Sequence, residues 1–315
     1  MVLQQFPVAP ADIPVALGNR GGFSGARLWR VASLCLRAWP EQVSPVRLSF
    51  IHEEMIRAAA QGLEFVPKVH VTRAGSTWVE HDGRVWDLTT WMPGVADFQS
   101  NPSTVRLEQA CTALARLHKA WPQHALGSKC PAVLRRLARC HAWQLLVQSG
   151  WRPGQAVGLS DPVEDLVQRA WRVLPGFLER LPDRLRPWVT RLVPIQTCLS
   201  DVWHDHILFA GDTVSGIIDY GSVRYDHVAV DLARLLGSLV GDDGAQIAAG
   251  LAAYRQLRSL SSEEEELVRV LDESGTLLGV ANWLIWLRRD HRQFEDLPAV
   301  ARRLGTLVAR VECWQ

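Results

Sequence analysis

Hydrophobic and polar positions alternate in short runs over the first ninety residues. The segment RLWRVASLCLRAWP, from Arg27 to Pro40, has runs of β-branched, aromatic and aliphatic residues on either side of Ala32-Ser33, which predicts two antiparallel strands. The segment TWVEHDGRVWDLTTWMPG repeats the pattern around Asp82-Gly83, a strong signal for a tight hairpin. Between these pairs, Arg47 to Gly62 has apolar residues at helical spacing and a glycine stop. The predicted order is a strand pair, one helix and a second strand pair.

After Pro93-Gly94 the apolar positions repeat at the spacing of amphipathic helices. In STVRLEQACTALARLHKAW, Ser103 stands as an N-cap before a stripe of apolar residues. Helices are also predicted in PAVLRRLARCHAWQLLV, SDPVEDLVQRAWRVL, VAVDLARLLGSLV, SSEEEELVRVLDESGTLLGVANWLIWLRRDHRQF and PAVARRLGTLVARV. The change of pattern predicts a small β-rich lobe with one helix over residues 1–92 and a larger helical lobe over residues 93–315. The fold class is therefore α+β.

Composition narrows the class of protein and its partners. The chain has 315 residues, 48% of them hydrophobic and 21% charged, and a formal net charge of +1, so it has no basic surplus for binding nucleic acid. Its six cysteines include no CxxC pair, which disfavours a zinc or disulfide framework. It contains no run of about 18 apolar residues, and its N-terminus lacks a basic start and an apolar core. We expect a cytoplasmic protein with neither a nucleic-acid nor a membrane partner.

The stretch CLSDVWHDHILFAGDTVSGIIDYGS, from Cys198 to Ser222, combines a predicted hairpin with several acids. Asp201 precedes its first strand and Asp219 ends its second, so the hairpin should bring two carboxylates 18 positions apart to the same end. Hard oxygen ligands together with a base are what phosphoryl transfer requires. Taken singly, either aspartate could instead cap a turn through its own side chain.

The order and spacing of these residues resemble the catalytic core of the aminoglycoside phosphotransferase and choline kinase-like family, relatives of the protein kinases. The family pattern is H-G-D-x-x-x-x-N, a hairpin, I-D-[FWY]-G and then D-L-A. The chain matches it with Leu199-Ser200-Asp201, His206, Ile218-Asp219-Tyr220-Gly221 and Asp231-Leu232-Ala233. The resemblance implies a two-lobed protein kinase-like fold.

The resemblance also assigns roles to these positions. It implies that Asp201 is the catalytic aspartate, which accepts a proton from the acceptor hydroxyl or orients it, and that Asp219 holds Mg²⁺ against the phosphates of ATP. His206 would occupy the place of the second metal ligand. Asp231 would support the catalytic loop through buried hydrogen bonds. The implied reaction transfers the ATP γ-phosphate to a hydroxyl of a small metabolite or antibiotic.

Two segments resemble the parts of the family that contact the nucleotide. GNRGGFSGARLWRV resembles the glycine-rich loop, in which backbone N–H groups approach the phosphates closely. LTTWMPG resembles the hinge that receives the adenine through backbone hydrogen bonds. The candidate residues are Gly21, Gly22, Phe23, Ser24 and Gly25 in the loop and Thr90, Trp91 and Met92 in the hinge.

A cation and an acid complete the predicted nucleotide site. Protein kinases place a lysine on the third strand, but no lysine precedes Lys68 here, so Arg37 is the cation in that place. Its helix partner would be Glu53 or Glu54, whose side chains point about 100° apart. Glu54 is preferred, because the twelve residues from it to Val66-Pro67 fit the spacing of the family.

Three residues depart from the family pattern. Leu199 and Ser200 replace its histidine and glycine, and His206 replaces its asparagine. Because an imidazole nitrogen suits transition metals better than Mg²⁺, His206 either binds a softer ion such as Mn²⁺ or hydrogen-bonds Asp201 or a phosphate. A third alternative is impaired metal binding in a catalytically silent, pseudokinase-like protein that binds a nucleotide or another ligand.

The WHDH sequence offers a rival metal site. On an extended strand, His204 and His206 would share one face, so two imidazoles could bind one ion. No third ligand stands at a suitable spacing, and zinc sites usually need three or more protein ligands. The kinase-like interpretation is therefore preferred.

The acceptor pocket is the least constrained part of the prediction. Trp283 and Trp286 lie three residues apart on one helix and could cage a quaternary ammonium, although in a chain with 14 tryptophans ordinary packing is the stronger alternative. The acidic run SSEEEEL could attract a cationic aminoglycoside, but its acids also stand where they stabilise a helix N-terminus. Sugars and amino alcohols are equally open as acceptors.

Overall fold

The computed structural model describes residues 2–8, 13–17, 25–154 and 161–315. It confirms the α+β class, with an antiparallel sheet in the N-terminal part and mainly helices in the C-terminal part. Within these residues, the N-terminal sheet has five strands in the order β1-β2-β3-β5-β4. They are β1 (Val15–Ala16), β2 (Arg27–Val31), β3 (Leu34–Ala38), β4 (Val79–His81) and β5 (Arg84–Thr90).

Both predicted N-terminal hairpins are present. β2 and β3 pair antiparallel around Ala32-Ser33, and β4 and β5 pair around Asp82-Gly83. Asp82 and Gly83 have φ angles of 49° and 69°, the left-handed pair that a type I′ turn requires. β3 and β5 also pair with each other, which places Arg37 directly opposite Asp87 on the sheet.

The predicted helix is α1 (Pro45–Ala60). The hydroxyl of Ser44 caps it by accepting a hydrogen bond from the Arg47 N–H at 3.2 Å. Its apolar residues Leu48, Ile51 and Met55 are buried, as the helical spacing predicts. Glu54 shares the buried side, whereas Glu53 is exposed.

The hinge segment leads into α2 (Thr104–Ala120), whose N-cap is Ser103, as predicted. β8 (Ile207–Ala210) and β9 (Thr213–Ile217) form the hairpin expected in the acid-rich stretch. Val95 and Phe209 exchange backbone hydrogen bonds, which join the hinge segment to this hairpin. Gly94, with φ of 96°, leaves no room for a side chain there, because a Cβ would lie 2.6 Å from the Phe209 carbonyl oxygen.

The rest of the chain is mainly helical. A three-stranded sheet has the order β10-β7-β6. The strands of this sheet are β6 (Gln123–Lys129), β7 (Leu192–Cys198) and β10 (Arg224–Asp226). The helices of this part of the chain are α3 (Pro131–Gln148), α4 (Asp161–Leu185), α5 (Ala229–Leu239), α6 (Gly244–Arg255), α7 (Ser262–Arg288) and α8 (Leu297–Glu312). The predicted helices are all present, but α7 ends at Arg288 and not at Phe294, because the polar residues that follow lack an apolar repeat and His291 has φ of 48°.

Tertiary contacts divide the chain into two compact units. The first comprises Met1–Pro122, Asp201–Arg224 and Ala248–Ser259, and the second Gln123–Ser200, Tyr225–Ile247 and Leu260–Gln315. The first unit therefore includes α2 and the β8–β9 hairpin, so it extends beyond the predicted lobe of residues 1–92, and that lobe boundary stays a prediction. Among the described residues, no helix combines the length and apolar character needed to span a bilayer.

Candidate active site

The imidazole of His206 lies at the open end of the β8–β9 hairpin, opposite its turn, and contacts residues on both sides of that end. His206, immediately before β8, has its Nδ1 3.0 Å from the backbone carbonyl oxygen of Asp201. Its Nε2 lies 3.7 Å from Asp219 Oδ2, just beyond the end of β9. His206 therefore links the Asp201 backbone to the Asp219 side chain at the open end of the hairpin, whereas the approach of the two carboxylates stays a prediction.

The bonds of His206 fix how it faces Asp219. A carbonyl oxygen only accepts hydrogen bonds, so Nδ1 carries the proton that it donates to Asp201. A neutral imidazole then presents the lone pair of Nε2 to the Asp219 carboxylate. The two groups repel each other unless a proton or a cation lies between them. With metal–ligand bonds of about 2.1 Å, two ligand atoms lie roughly 3 to 4.2 Å apart. The observed 3.7 Å is within this range, so the two side chains fit a divalent cation.

Asp219 is held in an unusual backbone conformation. Its φ and ψ angles are 63° and 70°, in the left-handed region, and its Oδ1 accepts a hydrogen bond from the Gly221 N–H at 3.3 Å. A Cβ on Gly221 would lie 3.2 Å from that oxygen and 3.3 Å from the Trp39 ring, so this position favours glycine. Strained residues of this kind are concentrated at functional sites.

Arg37 adds a positive charge beside this carboxylate. Its NH1 lies 3.5 Å from Asp219 Oδ1, and its guanidinium stacks over the ring of Trp39 at 4.8 Å. Burial raises the pKa of Asp219, but the charge of Arg37, together with His206 and the Gly221 N–H, outweighs it and brings that pKa below its ordinary value. Asp219 is therefore an anion, with 46% of its side chain exposed. The predicted phosphate-binding cation lies beside the predicted metal ligand.

A buried pair that the sequence did not indicate lies next to Arg37. His52 Nε2 on α1 is 2.9 Å from Asp87 Oδ2 on β5, and both residues are buried. Burial lowers the pKa of the Arg37 guanidinium, but the charges of Asp219 and Asp87 raise it overall. The pair links α1 to the sheet and places Asp87 where it stabilises the charge of Arg37. The available signal was an acid in the middle of the buried run VWDLTT.

The predicted Arg37 partner on α1 is only partly defined. Glu54 is 4% exposed and its Oε2 lies 3.6 Å from Arg57 Nε, while its backbone carbonyl accepts a hydrogen bond from the Trp121 indole at 2.9 Å. The exposure of Glu53 supports the choice of Glu54 as the inward-facing acid. The pairing of Glu54 with Arg37 stays a prediction.

In the second unit, the hydrogen bonds expected of Asp231 are present. Its two carboxylate oxygens accept hydrogen bonds from the N–H groups of Leu199, at 2.7 Å, and Ser200, at 2.6 Å. The Asp231 side chain is fully buried. Ser200 has φ of 66°, a conformation that glycine adopts without cost, which explains why the family pattern has glycine at this place.

The candidate nucleotide residues are only partly described. Gly21, Gly22, Phe23 and Ser24 lie outside the described residues, whereas Gly25 has φ of 80° and its carbonyl accepts a hydrogen bond from Arg84. In the hinge, the Thr90 and Trp91 N–H groups donate to the Lys68 and Ser33 carbonyls at 2.9 and 2.8 Å, so these two donors are already used. Adenine contacts through their carbonyl oxygens or through Met92 stay predictions.

The rival metal site is not supported by the local structure. His204–His206 is a single turn of 3-10 helix and not an extended strand, so the argument for a shared face fails. His204 Nε2 instead lies 3.0 Å from Asp205 Oδ1, and His206 is turned toward Asp201 and Asp219.

The two candidate tryptophans of the acceptor pocket pack against each other. The ring centroids of Trp283 and Trp286 are 5.2 Å apart, and both rings also contact Phe294. This arrangement favours ordinary packing over a cage. In the acidic run, Ser261 and Glu264 form a capping box at the start of α7, so these acids stabilise the helix.

Comparison with known proteins places these features in a family context. The sequence profile of the phosphotransferase enzyme family matches residues 16–267. The homoserine kinase of Azorhizobium caulinodans is 30% identical over 263 residues, which cover 81% of this chain and 75% of that enzyme. Two solved structures share the fold at low identity. An aminoglycoside phosphotransferase from Alicyclobacillus acidocaldarius has a TM-score of 0.61 at 16% identity, and the match covers 99% of this chain and 92% of that one. A spectinomycin phosphotransferase, solved with ADP and spectinomycin, has a TM-score of 0.64 at 11% identity, and the match covers 98% of this chain and 92% of that one.

Proposed function

Because this chain belongs to the phosphotransferase enzyme family and is an ATP-dependent phosphotransferase that acts on a hydroxyl group, we propose that its acceptor is a small amino-acid alcohol, with homoserine as the first candidate. The observation that carries this choice is the 30% identity to a homoserine kinase over 81% of the chain. Homoserine offers a primary alcohol as the nucleophile and two charged groups, an ammonium and a carboxylate, for recognition.

Asp201 is the proposed catalytic aspartate. It orients the acceptor hydroxyl and takes its proton as the oxygen attacks the γ-phosphorus of ATP. The new P–O bond forms as the bond to the β,γ-bridging oxygen breaks, and ADP leaves with that electron pair. The hydrogen bond from His206 to the Asp201 carbonyl supports this role, because it fixes the backbone that presents the carboxylate.

Asp219 and His206 are the proposed ligands of a divalent cation. When bound, the ion neutralises charge on the nucleotide phosphates during the transfer. The mixed oxygen and nitrogen donor pair suits Mn²⁺ at least as well as Mg²⁺. The hydrogen bond at Nδ1 supports this assignment, because it orients the ring and leaves Nε2 available as a donor.

Arg37 is the proposed phosphate-binding cation. Its guanidinium is held by the Asp219 carboxylate and the Trp39 ring, and it lies opposite Asp87 on the sheet. A planar guanidinium binds phosphate oxygens through two parallel hydrogen bonds, where lysine would act as a point charge.

A coupled assay of ADP release tests the acceptor. The full chain is supplied with ATP and either Mg²⁺ or Mn²⁺, together with homoserine, choline, a sugar or an aminoglycoside. We expect ADP release to depend on homoserine and to yield a phosphorylated homoserine detectable by mass spectrometry. Release that depends on another acceptor, with none from homoserine, would overturn the choice of substrate and leave the family assignment intact.

A further inference from the structure

Two arginines flank the end of the loop that carries Asp219. The Arg47 NH2 group, at the start of α1, donates a hydrogen bond to the Gly221 carbonyl oxygen at 3.0 Å. Arg224 Nε donates to the next carbonyl, that of Ser222, at 2.9 Å. Both arginines are half-buried, and all four residues belong to the first compact unit. Two guanidinium groups therefore donate hydrogen bonds to consecutive carbonyl oxygens of the same turn.

Within the part of the chain that the structure describes, no acid pairs with Arg47. Among the described residues, its guanidinium makes that one hydrogen bond and stacks over the Phe50 ring at 5.5 Å, with no ion pair. Burial lowers the pKa of Arg47, and the positive charge of Arg224 lowers it further. Arg47 also lies in the first turn of α1, where the helix dipole favours anions and disfavours cations. Three unfavourable electrostatic contributions thus act at one position.

We propose that Arg47 and Arg224 form a binding site for a small oxyanion, either a carboxylate or a phosphate. A bound oxyanion offsets the repulsion between the two charges and can use the guanidinium donors of Arg47 that have no partner among the described residues. Because the same side chains hold the Gly221 and Ser222 carbonyls, the bound anion also steadies the turn in which the Gly221 N–H contacts Asp219.

The oxyanion has two possible sources. One is inorganic phosphate, which would act as an effector of the Asp219 loop. The other is the carboxylate of the acceptor, an alternative that rests on the proposed function. These sources are separable, because phosphate binding requires no acceptor and 3-amino-1-propanol has the alcohol and amine of homoserine without its carboxylate.

The first arm measures phosphate binding by calorimetry. The full chain is saturated with AMP-PNP so that the nucleotide phosphate positions are filled, and inorganic phosphate is then titrated. If phosphate is the ligand, we expect Arg47→Gln and Arg224→Gln to weaken binding roughly tenfold or more. Arg73→Gln is the matched control, since Arg73 also donates to a backbone carbonyl, at 3.3 Å, but away from the loop.

The second arm compares KM for homoserine and 3-amino-1-propanol. If the acceptor carboxylate is the ligand, each variant raises KM for homoserine by roughly tenfold more than it raises KM for 3-amino-1-propanol, which reports the effect of losing the bond to the turn alone. Arg47→Lys keeps the positive charge but loses the planar guanidinium. In the arm that responds, it should change the phosphate affinity or the KM for homoserine less than Arg47→Gln does. Thermal unfolding of each variant identifies any that fails to fold.

A selective loss in either arm, in both glutamine variants, supports the site and identifies the source. The proposal is overturned if wild-type protein binds no phosphate and the variants raise KM for homoserine no more than KM for 3-amino-1-propanol, or if Arg73→Gln reproduces the losses. If homoserine is not turned over while phosphate binding depends on Arg47 and Arg224, the proposed acceptor is wrong and the oxyanion site stands.

Discussion

His206 is the residue at which the proposed metal site departs from the family pattern. It stands where the family has asparagine, and both ring nitrogens are directed to the site, Nδ1 to the Asp201 carbonyl and Nε2 toward Asp219. We predict that His206→Asn, which replaces nitrogen by an oxygen ligand, shifts the ratio of kcat/KM with Mg²⁺ to that with Mn²⁺ toward Mg²⁺ by about tenfold. An unchanged ratio in parallel assays with the two ions would show that His206 is not a ligand.

Ser200 carries a conformational cost that a single substitution can measure. Its φ of 66° is in the left-handed region, and its buried hydroxyl has no hydrogen-bond partner among the described residues. We predict that Ser200→Gly is more stable than Ser200→Ala by about 1 kcal/mol, because both remove the hydroxyl and only glycine relieves the backbone. Urea unfolding gives the comparison; equal stability of the two variants would argue against backbone strain at this position.

At the scale of secondary-structure elements, the His52–Asp87 pair connects α1 to β5 beside Arg37. Removing one partner leaves the other buried without its hydrogen bond, so we expect His52→Leu to lower the free energy of unfolding by about 1 to 3 kcal/mol and to raise KM for ATP. Glu53→Gln on the exposed side of α1 is the matched control and should change the free energy by no more than about 0.5 kcal/mol. A similar KM in His52→Leu and wild type would mean that the pair does not position Arg37.

The elements predicted well are those with local signals. The turns at Ala32-Ser33 and Asp82-Gly83 and the Ser103 cap depend on residues within a few positions, and each appears as expected. β6 and β7 were not predicted, because QHALGSK alternates poorly and LVPIQTC contains a proline. Their pairing joins segments about seventy residues apart, with two irregularities in register, and periodicity carries no information about such contacts.

The same distinction applies to the candidate site. The predicted hairpin was sufficient to place its two open ends together, and His206 and Asp219 lie there in contact, because pairing the strands brings their outer ends side by side. The contacts of Arg37 with Asp219, 182 positions away, and of His52 with Asp87 depend on the packed fold. The orientation of His206 also needed the structure, since sequence alone left metal binding and hydrogen bonding as alternatives, and its role as a metal ligand stays a proposal.

At the scale of the whole molecule, the cysteines report on the integrity of the fold. All six are free, and Cys313 is the exposed one. Burial raises the pKa of Cys111 to about 12 and those of Cys130 and Cys140 to about 11, so these thiols stay protonated at pH 8 and are shielded from reagents. We predict that a thiol reagent at pH 8 labels Cys313 first and reaches these three only on unfolding. Rapid labelling of Cys111 in the native protein would contradict its complete burial in α2.

We propose that phosphoryl transfer takes place at the open end of the β8–β9 hairpin, with Asp201 as the catalytic aspartate. The most direct test is ADP release by Asp201→Asn at saturating ATP, metal ion and acceptor. Asp212→Asn, an exposed acid in the turn at the other end of the same hairpin, is the matched control. We predict that Asp201→Asn lowers kcat by about 10²- to 10⁴-fold while Asp212→Asn keeps the wild-type rate. An Asp201→Asn enzyme with wild-type kcat would contradict a catalytic role for Asp201.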